Sequence, residues 1–477
     1  MKNNNILKNF ICFSLGNYIS IIIGLILIPI TTKILSPEQY GIASFLELTM
    51  NILVLISYLG MDQGFMRYFY EEEKKLRNGL LYNCLLYPVS ILFIIEILLY
   101  FFRNRVLNIL ILKDTTTYVV LGIGLIFYFL NRFSLLVIRM KQKNMIYSMF
   151  NIINQIIKFI LIILFYNYYG NNYKIIFFSV VLATSIISIL AILSEKNMWK
   201  INFRTSFKRR EILEYSFPLS ITVILIWIFQ SSDKIMIQYY SNSYEVGLYS
   251  VAFKIIAIIN ILQQNFSIFW APVAYEQYNK NKEDFLFFEK VFEVVTFVAI
   301  KVGIIILIFK DFIIYFLGNM YKEVNNIFPC LIFIPIMYTL SEITVLGLTF
   351  KKKTRIIFFL TLAVTLFNIV GNTFLIPKFG AKGAAISTGI TYIVFFTLRT
   401  YFGKKYINIR IKLKRLYVSI VLLLIYTIYL SFYKNAFTSI IFGFFLLIFV
   451  DIIFYDILKQ IIKLAINIIK NKLLREK

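Results

Sequence analysis

Histidine is absent from this 477-residue chain. Its absence removes imidazole acid–base chemistry, Ser-His-Asp and Cys-His nucleophile systems, and histidine metal ligation. Cysteine is scarce. Cys12, Cys84 and Cys330 lie far apart in apolar segments, which leaves no disulfide framework and no CxxC metal pattern. Charged residues make up 16% of the chain, against about 25% in soluble domains. No GxxxxGK[ST] phosphate loop occurs, and no loop is longer than roughly 20 residues. There is no room for a soluble catalytic or nucleotide-binding domain, which argues against an ATP-driven pump. No cofactor is expected, and the chain reads as a non-enzyme.

What the chain has instead is hydrocarbon. Hydrophobic residues make up 60% and aromatics 18%, in apolar runs of about 20 residues from one end to the other. The fold expected is an all-α polytopic membrane protein. Fourteen spans are expected at 10–30, 41–61, 79–101, 117–138, 146–166, 174–194, 214–231, 245–268, 288–309, 325–347, 356–376, 383–400, 416–432 and 437–457. The first is too long for a signal-peptide core and lacks a small-residue cleavage site, so it is kept as a helix. The net charge of +26 would suggest nucleic acid in a soluble protein, but cytoplasmic loops of membrane proteins collect basic residues. No nucleic-acid partner is expected. Alternating the spans places 35 Lys and Arg on the side of the N-terminus and 11 on the other. Both termini are therefore expected in the cytoplasm. Arg103, Arg105 and Lys113 run against the rule in one outside loop. Residues 458–477 form a basic amphipathic tail suited to the inner leaflet.

An internal repeat divides the spans. Tyr40-Gly41-Ile42 and Val246-Gly247-Leu248 each follow a polar turn and open a helix, 206 residues apart. The shift equals six spans and keeps orientation. Two parallel six-helix lobes around a central cavity are expected, at 1–200 and 201–404, with two extra helices within 405–457.

Polar residues sharing one helix face inside a membrane mark a cavity or an interface. Five such stripes occur. The second span carries Ser44, Glu47, Asn51, Tyr58 and Asp62; the fifth, Tyr147, Asn151, Asn154, Gln155 and Lys158. The seventh carries Ser216, Ser220, Trp227, Gln230, Ser231 and Lys234; the eighth, Ser250, Lys254, Gln264 and Asn265. The eleventh carries Thr361, Thr365, Asn368 and Asn372. Together they suggest a solvated path. Lys158, Lys254 and Lys301 lie near the centres of their spans, whereas Arg132 is close enough to the inner end to snorkel to the headgroups. Each cation is a candidate ligand for an anion such as a phosphate ester. Each is also open to a buried ion pair, with Glu47, Glu96, Glu293 and Glu342 as partners. Trp227, on a polar face, suits a sugar ring or plain packing. Trp270 suits a headgroup belt.

Four segments in order carry a resemblance: Pro37-Glu38-Gln39-Tyr40-Gly41 as a turn after the first span; Asp62-Gln63-Gly64-Phe65-Met66-Arg67-Tyr68 with Glu71-Glu72; Asp233-Lys234-Ile235-Met236-Ile237 leading to Val246 through Ala252; and Ile376-Pro377-Lys378-Phe379-Gly380-Ala381-Lys382-Gly383-Ala384-Ala385. The set resembles the polysaccharide (O-antigen and capsule repeat-unit) flippases of the multidrug/oligosaccharidyl-lipid/polysaccharide exporter superfamily, over nearly the whole chain. The resemblance implies alternating access that moves an undecaprenyl-diphosphate-linked oligosaccharide from the inner to the outer leaflet of a bacterial cytoplasmic membrane. Membrane lipids and the polysaccharide assembly machinery are then the partners, and H+ or Na+ the coupling ion. It implies a cavity lined by the first, second, seventh and eighth helices. The first span here offers only Asn17, Ser20, Gly24 and Thr31 and no cation, which speaks against the peptidoglycan-precursor branch. The expected substrate contacts are Lys254, Lys158, Lys301, Arg132, Asn51, Trp227, Gln230 and Asn265, with Lys254 preferred for the diphosphate. Glu47, Glu342 and Asp62 are the ion-coupling candidates. Two other functions compete. A drug antiporter of the same superfamily would want an acidic cavity, against four mid-span cations. A polysaccharide polymerase or ligase would want a large outside loop.

Overall fold

A computed structural model describes residues 19, 22–110, 114–280, 285–351, 353–407, 412–433, 435–460 and 462–463. The first half of the first expected span, Cys12, Lys113 and the tail beyond Lys463 lie outside the described residues. Every regular element among those described is helical. The chain divides into two compact units, residues 1–250 with 317–320, and residues 251–316 with 321–477.

The first unit holds α1 (Ile22–Ile34), α2 (Pro37–Tyr58), α3 (Met61–Tyr68), α4 (Arg77–Phe101), α5 (Arg103–Ile109), α6 (Thr115–Met140), α7 (Asn144–Tyr169), α8 (Lys174–Ser194), α9 (Arg209–Tyr240) and the opening turns of α10 (Ser243–Lys280). The expected turn at Pro37–Gly41 is instead the first turn of α2. Ser36 caps it by accepting from the Gln39 amide, and Pro37 fills a position whose N–H would go unused. The lipid-facing side of α7 is aliphatic, with Ile156, Ile160, Ile163 and Leu164 exposed. Its polar stripe, Tyr147 through Lys158, is half-buried on the other side. Such segregation is what hydrocarbon demands of a helix that touches both lipid and protein.

Two features fix the first unit. Segment 201–207 has no regular structure and is strapped across the α3–α4 corner. Glu72, only 2% exposed, accepts from the Thr205 hydroxyl, the Ser206 amide at 2.9 Å and the Ser206 hydroxyl at 2.7 Å. Tyr82 donates to Trp199 O at 2.6 Å, and Asn83 donates to Phe203 O at 2.8 Å. The second feature joins the two glycines of the repeat. A Cβ on Gly41 would stand 1.7 Å from Ser243 O, and one on Gly247 would stand 1.9 Å from Pro37 O. The contact is reciprocal: Gly41 meets the residue four before Gly247, and Gly247 meets the residue four before Gly41. A local two-fold relation between equivalent segments produces this pattern. No side chain larger than hydrogen fits at either position.

The second unit continues α10, which bends by 40° between Ala257 and Ile259. It adds α11 (Leu286–Ile308), α12 (Lys310–Tyr315), α13 (Val324–Leu331), α14 (Phe333–Thr344), α15 (Leu346–Phe350), α16 (Thr354–Lys404), α17 (Leu413–Phe432) and α18 (Ala436–Ile453). Helix α16 turns back at Gly380 (φ 56°, ψ −137°). Asn368 then bonds to Thr388 and Ser387 bonds to Asn368 O, both at 3.3 Å, so the two arms run antiparallel. The polar stripe of the eleventh span is therefore a helix–helix seam rather than part of a wet path, because amides buried in an apolar bundle must bond to each other. Trp270 is 3% exposed and stacks on Phe266 and Phe287, so it is packing rather than a headgroup belt. Eleven described helices are long and apolar enough to cross a bilayer, or twelve with the bent α10. Two crossings by α16 and the shorter α1 make this consistent with fourteen passes.

Gly41→Ala and Gly247→Ala each force the same two backbones apart, at about 1–3 kcal/mol. Combined, they cost less than the sum of the singles in thermal unfolding, since one separation makes room for both. Glu72→Gln weakens the strap by about 1–3 kcal/mol. Burial works against the ionised Glu72, but the Thr205 and Ser206 hydrogen bonds outweigh it and hold the carboxyl below its ordinary range. Its stabilising effect is thus complete above that ordinary range and is lost as the pH falls through the lowered value. The melting temperature of the wild type in detergent falls over that window, and that of Glu72→Gln falls less.

Candidate functional site

The site begins where α2 breaks. Leu59 and Gly60 both take left-handed conformations, with φ of 47° and 71°. A glycine suits the second position because the Ser216 carbonyl of α9 crosses directly over it, 2.2 Å from where a Cβ would sit. The break stops α2 at Tyr58, and α3 restarts at Met61. Asp62 is carried into the first turn of α3 and is 6% exposed. From α6, Arg132 reaches its Oδ2 through Nη2 at 2.6 Å and Nε at 3.1 Å. Gln63 Nε2 donates to the same oxygen at 3.1 Å.

Above this pair lies a cavity of about 330 Å³, within the first unit. Asn51, Tyr58, Asp62, Gln63, Tyr128, Arg132, Ser220 and Trp227 contribute its polar and aromatic lining. Its size reaches the lower end of small-molecule sites. The Arg132 side chain is 41% exposed. Among the described residues Asp62 takes two of its five N–H groups, which leaves three for another acceptor. Tyr58 is fixed by the rings of Phe129 and Phe133, each 5.8 Å away, and its hydroxyl reaches Tyr128 O at 3.4 Å. The second unit has a groove of about 270 Å³ among α10, α11 and α14, but Gln263 and Thr339 are its only polar lining residues. It has no charged group with which to hold a polar head, so the first cavity is the candidate.

Four of the expected site residues meet there: Asn51, Asp62, Arg132 and Trp227. Gln230 is exposed on α9, outside the lining, and Lys158 is half-buried on α7, also outside it. Lys254 and Asn265 lie on the α10 portion of the second unit, the first exposed and the second half-buried. Glu47 is half-buried on α2, one turn before Asn51, whose amide donates to Glu47 O at 2.8 Å.

The ion pairs differ from those expected. Lys301, expected on the passage, is held by Asp451 of α18 at 2.8 Å, with the Phe297 ring 5.1 Å from its Nζ. Arg132 does not snorkel to the headgroups, because Asp62 is near enough to hold it. Glu342 takes Arg399 at 3.4 Å, and Glu293 takes Lys412 at 2.9 Å. Two of the expected acids, Glu342 and Glu293, are thus committed to cations, whereas among the described residues Glu47 and Glu96 form no salt bridge. Spacing along one helix cannot reveal which neighbour supplies the counter-ion. Tyr128 was not anticipated, because it stands alone among apolar residues; only the approach of α2 gives it a role.

The sequence model described as polysaccharide biosynthesis protein matches residues 6–272. The chain belongs to this family. Among solved structures, the chain is similar to the lipid II flippase MurJ in an inward closed conformation. The TM-score is 0.70 at 18% identity, covering 94% of this chain and 99% of that one. It is also similar to a multidrug resistance MATE family transporter of the MOP superfamily, in outward-facing and inward-facing conformations. Both give a TM-score of 0.57 at 14% identity, covering 83% and 82% of this chain and 95% and 94% of theirs. No curated protein matches the chain. The chain is therefore a multi-pass membrane protein with the fold shared by these structures.

Arg132→Ala leaves the Asp62 carboxylate, nearly sealed from solvent, without its cation. The expected loss is about 1–3 kcal/mol in thermal unfolding, and adding Asp62→Asn restores most of it. Equal losses in the single and double variants would show that the unpaired Asp62 carboxylate is not what destabilises Arg132→Ala.

Proposed function

We propose that this protein flips a lipid-linked oligosaccharide, joined to its polyprenyl anchor by a diphosphate, from the inner to the outer leaflet by alternating access. The observation that carries the reading is the cavity itself. A guanidinium with three unspent N–H groups stands beside Tyr58, Tyr128 and Trp227, with Asn51 and Gln63 as amides. Arginine recognises phosphate oxygens through paired, charge-assisted hydrogen bonds. Aromatic faces and amides suit the ring and hydroxyls of a sugar. Family membership and the flippase-like fold support the same class.

In this reading the lobes divide at residues 200–201. The cavity then draws α2, α3 and α6 from one half and α9 from the other. Gly41 and Gly247 lie at the opposite end of α2 from Tyr58, roughly 25 Å away at 1.5 Å per residue. With both termini in the cytoplasm of a bacterial cell, the glycine contact closes the outer side and the cavity faces inward. Lys254, Lys158, Gln230 and Asn265 meet the cargo at other stages of its passage. Glu47, and Glu342 once it releases Arg399, serve as acids for a coupling proton or sodium ion, and the polysaccharide assembly machinery receives the unit outside. Lys301, tied to Asp451, has no part in the path. The drug-antiporter reading is weaker because Asp62 is already neutralised by Arg132, which leaves the cavity no unpaired acid on that face.

Reconstitution in vesicles tests the proposal. Arg132→Ala is expected to slow translocation of a lipid-linked diphosphate oligosaccharide at least tenfold, with Arg132→Lys intermediate because it keeps the charge and loses the fork. Unchanged transport by a folded Arg132→Ala protein would remove the site.

A further inference from the structure

Two arginines stand where the charge rule disfavours them. Arg103 and Arg105 lie in the outer connection between α4 and α6, against the bias that places 35 cations on the inner side and 11 on the outer. The passage of a cargo through the cavity gives them no task. Both sit on α5, which follows directly on Tyr100, Phe101 and Phe102, exposed by 72%, 76% and 49%. Exposed aromatic rings at the end of a span lie at the level of the lipid headgroups. The two guanidinium groups are thus held where lipid phosphates are found.

The chain does not neutralise their charge. Among the described residues no carboxylate forms a salt bridge with either arginine. Asp114, beside Thr115, is taken by Lys174 at 2.7 Å and by the Tyr173 hydroxyl at 3.0 Å. Glu96 is, like Arg103, within electrostatic reach of Tyr118. It lies seven residues before Arg103, roughly 10 Å deeper along α4. Its carboxylate meets α6 at Gly122, where a Cβ would stand 3.0 Å from Oε2. Arg103 itself is half-buried against α6. Nη2 donates to Thr115 Oγ1 at 2.8 Å, and the guanidinium carbon is 5.8 Å from the centre of the Tyr118 ring. Its Nε is buried and has no hydrogen-bond partner. A clamp between α4 and α6 would account for the Thr115 bond, but not for an orphaned charged donor, which is costly to leave unpaired. Nor would it account for Arg105, which is exposed with its guanidinium 5.9 Å from the Phe102 ring.

We propose that Arg103, Arg105 and Thr115 form a site for a lipid-borne phosphate in the outer leaflet. The outer placement rests on the orientation given above; the chemistry does not depend on the cavity. Phosphate oxygens accept from the Arg103 fork, including the Nε–H that a small shift of the side chain frees. The exposed Thr115 hydroxyl accepts from Nη2 and keeps its own hydrogen for the phosphate. Arg105 adds a second positive charge on the lipid side. A resident anionic phospholipid and a prenyl diphosphate delivered from the inner leaflet present the same oxygens. In the second case the site holds the cargo after its passage.

Native mass spectrometry of the full chain in neutral detergent counts bound lipids and tests the site. The probes are phosphatidylglycerol, farnesyl diphosphate, and phosphatidylcholine, whose choline offsets its phosphate. Arg103→Gln is expected to weaken binding of an anionic probe about tenfold, since it removes charge-assisted hydrogen bonds. Arg103→Lys should be intermediate, because it keeps the charge and loses the fork. Arg105→Gln should weaken binding by roughly threefold, as befits an exposed charge. Phosphatidylcholine binding should not change. A larger effect on farnesyl diphosphate supports the site and assigns it to delivered cargo; a larger effect on phosphatidylglycerol supports it and assigns it to a resident lipid. Unchanged binding of both anionic probes by Arg103→Gln, or an equal loss for phosphatidylcholine, overturns the proposal. Thermal unfolding is followed in parallel. If Arg103→Gln does not fold, unweakened binding by Arg103→Lys and Arg105→Gln has the same force. Arg132→Ala separates this site from the cavity. Loss of farnesyl diphosphate in that variant, with Arg103→Gln unaffected, removes the outer site and leaves the cavity reading. The opposite pattern removes the cavity as an anion site and leaves this one. Asn104→Cys, exposed on α5, fixes the side. An impermeant maleimide should label it in intact spheroplasts above the wild-type level, and labelling only after lysis overturns the outer placement.

Discussion

A charge inside hydrocarbon must find its opposite, and that constraint organises this protein more than any other. Several acids among the described residues have little latitude. Asp451 is spent on Lys301, Glu342 on Arg399, and Asp456 on Arg415 and Lys412. These pairs tie neighbouring helices of the second unit where an apolar contact would give no preference between lipid and protein. Arg132 and Asp62 obey the same rule with one difference. Their pair stands at the wall of a cavity, where the guanidinium can be shared with something that is not part of the chain.

The break between α2 and α3 is what makes this possible. Had α2 continued past Tyr58, Asp62 would follow it along the same axis rather than tuck beneath its end. The left-handed Leu59–Gly60 step costs conformational energy, and the close passage of α9 over Gly60 compensates through contact. The glycine pair at the other end of α2 performs a different task with the same residue type. There the helices meet backbone to backbone, and the relation between Gly41 and Gly247 is visible in the repeat of the sequence before any contact is known. Between these ends, α2 links a dry, close contact to a wet one.

Membrane passage, the helical class and the family were all legible along the chain. Apolar run length is a one-dimensional property, and hydrocarbon thickness converts it directly into spans. The polar stripe read on the second span includes Asn51 and Asp62, which both line the cavity, although the break at Leu59–Gly60 puts Asp62 on a separate helix. The eleventh span shows the limit of that logic: its stripe was as regular, yet it faces the return arm of α16, since a polar stripe suits a seam as well as a passage. Trp270 failed for the same reason, packed among Phe266 and Phe287 instead of lying at a headgroup level.

The sequence by itself determined that the chain lives in a bilayer, that it is helical throughout its described residues, and that its two glycines correspond. Only the tertiary structure decided which acid meets which cation, and therefore that Arg132 rather than Lys301 lines the cavity. The physical reason is range. Hydrophobic periodicity is settled within one helix, whereas a salt bridge between residues 62 and 132 depends on how two helices far apart in the chain are brought side by side.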